Sequence, residues 1–182
     1  MKHLILNVLC LVAPLAVHAE TCPPAKDVTS DIATLLNDVR DAPDERSAAA
    51  ISNKMWQLWT IAPDALAQDY LDNGMTRRSQ FDFAGAEAAF TALIEYCPSY
   101  AEGWNQRAFV NFLREDYPKA LVDLDKALEL NPVHVAALSG KALTLLFMGE
   151  EAQGQKVLRE ALALNPWLSE RAYLRDVPRD DL

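Results

Sequence analysis

An all-α solenoid of antiparallel helix hairpins is the fold this sequence predicts, and three observations predict it. Pro98, Pro132 and Pro166 stand 34 residues apart. Small and large apolar positions recur between them on the same period, as in stacked helical repeats. Within each period the apolar residues follow helical spacing. Composition agrees. A hydrophobic content of 51% is too high for a disordered chain, and 182 residues suffice for one domain with a real core. The 26 Asp and Glu outnumber the 17 Lys and Arg, giving a net charge of -9. That balance argues against nucleic acid or an anionic membrane surface as partner, since either demands a basic face.

The first segment, residues 1–19, reads as a secretory signal peptide rather than a fold element. Met1-Lys2-His3 gives a positive start, Leu4 to Val17 is almost wholly apolar, and Val17-His18-Ala19 places small residues before a cut after Ala19. The apolar run of about 14 residues is shorter than the roughly 20 that span a bilayer core, so no stable membrane span is expected after cleavage. The expected location is therefore periplasmic or secreted. Cleavage removes Lys2 and no acid, leaving a net charge of -10, one histidine (His134) and two cysteines (Cys22 and Cys97). An oxidising compartment favours an internal Cys22–Cys97 disulfide, worth roughly 4 kcal/mol in the chain-entropy model. An intermolecular bond through Cys22 and a buried, inert Cys97 are the alternatives.

Residues 20–66 form the next unit. Ile32, Leu35, Leu36 and Val39 make one apolar stripe; Ile51, Met55, Leu58 and Trp59 make another, after Pro43 at a helix start. Sliding the 34-residue register back puts Ser52, Trp56 and Trp59 in the small, large and packing columns. The expectation is a degenerate hairpin that covers the open end of the first repeat, because a solenoid buries each face only against its neighbours.

Three repeats follow, at 67–100, 101–134 and 135–168. Tyr70, Trp104 and Leu138 share a column, as do Gly74, Ala108 and Ala142. Ala86, Ala120 and Gly154 are small where two helices approach closely; Phe90, Leu124 and Leu158 fill the gap between them. Proline after each second helix stops it. Asp82 and Asp116 are placed to cap second helices, Pro118 is acceptable in a first turn, and Gly149 stops the first helix of the last repeat. At 169–182, Tyr173 and Leu174 suggest a short cap helix before a charged tail.

This pattern resembles the tetratricopeptide repeat (TPR) family, most clearly from Ala101-Glu102-Gly103-Trp104-Asn105 through Asp116-Tyr117 to Asn131-Pro132. The chain looks like a small exported bacterial TPR protein of unassigned role. It departs from the family at Arg107, where a packing Leu is usual, at Phe81 and Glu115, where Gly is common, and at Gly154, where Ala is usual. The resemblance implies that the first helix of each repeat lines a concave groove. Its lining would be Leu71, Met75 and Arg78, then Asn105, Phe109, Phe112 and Leu113, then Ser139, Leu143, Leu146 and Phe147. So apolar a surface marks a binding site, such as a groove for an amphipathic helix, with Asn105 as a polar handle on a peptide backbone. The competing readings are that a terminal hairpin or cap folds over it, or that a shifted register makes these residues core.

Catalytic chemistry is largely missing. Gly140-Lys141 lacks the earlier glycine of a phosphate loop, and no Gly-x-Ser-x-Gly elbow occurs. Cys and His lack metal-ligand spacing. His134 follows Pro132-Val133 at a turn and reads as a surface residue. Asp123 and Asp125, two apart on a helix, point to different faces. Arg77-Arg78 reads as a solvated face. The expectation is a monomeric, exported, non-catalytic adaptor without cofactor or metal, binding a protein or peptide segment of the cell envelope. The alternative is a periplasmic carrier or assembly factor that holds an apolar small molecule or lipid in the same groove.

Overall fold

The computed structural model describes residues 21–175; the expected leader at 1–19 and the end of the charged tail lie outside them. Eight α-helices follow in order: α1 (Thr29–Arg40), α2 (Glu45–Trp59), α3 (Ala65–Ser79), α4 (Phe83–Tyr96), α5 (Ala101–Leu113), α6 (Tyr117–Leu130), α7 (Val135–Phe147) and α8 (Glu151–Leu164). No strand occurs among the described residues. A 3-10 turn, Ser169–Tyr173, stands where a cap helix was expected.

Local chemistry sets the helix starts. Asp44, Asp64 and Asp82 each accept a backbone N–H of the first turn, from Ser47, Ala67 and Gly85. Those N–H groups hold all three carboxyls below the ordinary aspartate range. Asp116 differs from the expected cap. Its carboxylate pairs with Lys119 at 2.8 Å and makes no cap hydrogen bond, while Pro118 occupies the first turn of α6.

Helices pair as α3/α4, α5/α6 and α7/α8, and successive pairs stack through α4 on α5 and α6 on α7. Because α3 also touches α5 and α5 touches α7, these three form one layer and α4, α6 and α8 the other. The small-residue column is where the layers meet. Ala86 and Ala120 are fully buried, and a Cβ on Gly154 would lie 2.7 Å from the Leu146 side chain and 3.1 Å from its backbone nitrogen. Phe90, Leu93 and Leu71 fill the first core, and Leu124 and Ala127 the second. The turns between paired helices also share one geometry. Phe81, Glu115 and Gly149 sit 34 residues apart, with φ of 62°, 62° and 82°.

The α1–α2 hairpin is present but does not cover the open end of the first repeat. Its core residues Ile32, Leu36, Val39, Met55 and Trp59 pack with Val135, and against Leu164, Trp167 and Leu168 at the far end of the chain. Tyr100 donates its hydroxyl to the Trp59 carbonyl (2.6 Å), Trp59 stacks on His134 (ring centroids 4.3 Å apart), and Asn165 donates to Ser52 Oγ (3.1 Å). Tyr100, His134 and Leu168 occupy the same column of three successive repeats. The hairpin therefore lies along the three proline-bearing turns. The end it was expected to cover is largely polar: Asp69, Asn73 and Thr76 on α3, and Gln80 just past it, are exposed. A disulfide joins Cys22 to Cys97, with 5.2 Å between Cα atoms, and fastens the segment that leads into α1 to the first of these turns.

Candidate functional site

The valley between α5 and α7 holds a cavity of about 270 Å³. Helical spacing sets its walls. Phe109 and Phe112 project from successive turns of α5, and Ser139 and Leu143 from α7. Arg78 of α3 closes one side and Trp56 of α2 overhangs it. Phe109 and Trp56 are each 46% exposed, a large apolar surface to leave in water. Beyond the cavity the apolar strip continues. Phe112 meets Phe147 edge-on at 5.6 Å, and Phe147 meets Tyr173 at 6.3 Å.

The residues expected to line a groove divide into several places. Arg78, Asn105, Phe109, Phe112, Ser139 and Leu143 come together around the cavity. Leu71 is fully buried in the first core and Met75 packs against that core, so neither presents its side chain to a ligand as a groove residue would. Leu146 and Phe147 line a separate shallow cleft with Tyr173. Leu113 is exposed outside the cavity lining. Trp56, Gln106 and Glu170 line the cavity as well. Glu170 comes from outside the repeats, where the 34-residue register carried no signal, and for Trp56 the register gave a large packing position and not a place beside the groove.

A polar network lies beneath the valley. Glu102, 2% exposed, accepts from Asn105 Nδ2 at 3.1 Å, from Gln106 Nε2, and from His134 Nε2 at 2.8 Å. His134 Nδ1 accepts the Ala137 N–H and caps α7, so the ring proton sits on Nε2 and is donated to Glu102. At 1% exposure His134 is buried, not a surface residue. The turn reading failed because Trp59, from outside the repeats, covers the ring. Arg78 donates to Gln106 and lies over the Phe109 ring, 4.8 Å from its centroid. Burial pulls its guanidinium below the ordinary range while the charge of Glu102 acts the other way. Asp123 is buried and receives both Nε and Nη2 of Arg107, at 2.8 and 2.7 Å, whereas Asp125 pairs with Lys141 on another face. Among the described residues no group of three or more His, Cys, Asp or Glu is arranged to hold a metal. None of their helices is long and apolar enough to cross a membrane.

Comparison with known proteins agrees with this architecture. The sequence profile of the Tetratricopeptide repeat family matches residues 101–134. A TPR repeat-containing protein of Rhizobium etli is 28% identical over 138 residues, which is 72% of this chain and 65% of that protein's length. Among solved structures, the TPR2B domain of yeast Sti1 in complex with pHsp70 is 25% identical with a TM-score of 0.54, covering 59% of this chain and 86% of that one. The first TPR of Spaghetti (RPAP3), bound to the HSP90 peptide SRMEEVD, is 20% identical with a TM-score of 0.57, over 59% of this chain and 85% of that one.

Proposed function

We propose that this chain, which matches the Tetratricopeptide repeat family at residues 101–134, is an adaptor that binds a segment of another protein in the α5–α7 valley. The observation that carries this is the apolar strip around the cavity, where Trp56 and Phe109 are exposed and Phe112 is half-buried. Binding energy would come from burying that surface, at about 25 cal/mol per Å² before ordering costs. That similar TPR domains are in complex with peptide partners supports the reading. The volume favours a protein side chain over a whole small ligand, since about 270 Å³ falls short of the roughly 300–1,000 Å³ of small-molecule sites. A monomer working in the cell envelope is part of the proposal, supported by the signal-like residues 1–19 and by a disulfide that suits an oxidising compartment.

Photo-crosslinking in the cell tests it. A crosslinking residue at Phe109 is expected to give discrete protein adducts that disappear in the Leu143→Glu background. The same residue at Val122, exposed on α6, is expected to give none. Equal adducts at both positions would refute the assignment, and fractionation of the same cells reads the location.

A further inference from the structure

We infer that the partner segment of the α5–α7 valley is an amphipathic α-helix with a neutral to basic polar face, not an extended strand or an acidic tail. The inference rests on the proposed function and specifies the ligand of that same site.

An extended segment leaves its backbone N–H and C=O groups needing partners wherever water is excluded. Most of the polar side chains of this cavity are engaged with one another. Asn105 and Gln106 donate to Glu102, Gln106 also accepts from Arg78, and Ser139 bonds the Ala136 carbonyl and faces Glu170 at 3.4 Å. A helix brings its backbone already satisfied and asks only for an apolar surface. Such a surface is there. Phe109 and Phe112 on α5 face Leu143 on α7, over a length of about two helical turns. Within the chain, Trp56 already reaches this valley from a helix, α2. An acidic tail meets a single cation among the lining residues, Arg78, whose guanidinium is bonded to Gln106, stacked on Phe109 and in the field of Glu102. Glu170 at the rim and the net charge of -9 disfavour acid further and favour a basic flank.

Three synthetic peptides titrated into the full chain, read by anisotropy of a labelled end, decide the matter. Two share one composition of Ala, Lys, Leu and Phe over about fifteen residues. The first spaces its apolar residues at i, i+3, i+4 and i+7; the second alternates them at i and i+2. The third is SRMEEVD. The first peptide is expected to bind at least tenfold more tightly than either other, and Phe109→Ala and Leu143→Glu each to remove that advantage. Phe109 is half exposed, so its truncation leaves the fold intact as a check on the buried-side variant. Equal or tighter binding by the alternating peptide or by SRMEEVD overturns the inference, and so does no binding by any of the three. Crosslinks at Phe109 that persist alongside such a result leave the adaptor reading standing and remove only the helix; loss of both removes both.

Discussion

Phe81 and Glu115 hold the left-handed turn conformation that Gly149 holds in the third repeat. An L-residue with a Cβ pays about 1–2 kcal/mol there, and glycine avoids most of it at some cost in unfolded-state entropy. Phe81 recovers little in return: it is 81% exposed and its ring meets only the edge of Phe83, at 6.1 Å. Phe81→Gly and Glu115→Gly are therefore each expected to raise unfolding free energy by about 0.5–1 kcal/mol, measured by urea titration. A loss of stability at both positions would show that the turns draw on contacts of these side chains. Arg107 is a different kind of departure. It stands where the family packs a leucine, yet it is matched by Asp123, which takes both of its inner nitrogens, and by Thr91 at 3.2 Å. The sequence marked all three positions as unusual against the repeat register. It could mark the strain, which a turn position implies, but not the Arg107–Asp123 pairing, which joins different helices 16 residues apart.

At the scale of elements, the repeats were legible and the placing of the hairpin was not, for one physical reason. Repeat contacts recur on a fixed period, so Ala86, Ala120 and Gly154 announce the same close approach three times. The hairpin contacts are made once each, by unlike residues of one column, and reach as far as 113 positions along the chain from Ser52 to Asn165. This seam is also the less satisfied one. The indole nitrogens of Trp59 and Trp167 are buried in it without a partner, a cost of about 1–3 kcal/mol for each such group. The hairpin also makes few helix-to-helix contacts with the repeats, its helices packing mainly on each other. The disulfide compensates by fastening its leading segment to Cys97. Hydrogen exchange on the double variant Cys22→Ser, Cys97→Ser is thus expected to show α1 and α2 losing protection first, while α5 to α8 stay close to the parent. Loss spread evenly over all eight helices would mean that the hairpin and the repeats unfold as one unit.

For the whole molecule, the question is what stops a three-repeat stack from growing. Repeat proteins bury each face against a neighbour, and an uncovered apolar end face associates with another copy. Both ends of this stack are largely polar. Along the outward face of α3, Leu66 is the apolar exception, 38% exposed, while Asp69, Asn73, Thr76 and, just past its end, Gln80 are polar and exposed, in the columns where Gly103, Arg107 and Arg114 of the next repeat meet α4. On α8 the last residues close over the outer face: Gln155 donates to the Tyr173 carbonyl and accepts from the Arg175 N–H, and Arg159 donates to the Arg175 carbonyl. On the proposed reading, polar closure at both ends favours the single chain as the stable unit and leaves the valley as an apolar surface for a different protein. Sedimentation velocity is expected to show one species at monomer mass across a hundredfold range of concentration. The paired substitution Asn73→Leu with Thr76→Val removes the polar closure of α3 and is expected to bring in concentration-dependent association while far-UV helicity is kept. A parent chain that already dimerises would show that some other face joins two copies. A variant that stays monomeric would show that these two polar residues are not what ends the stack.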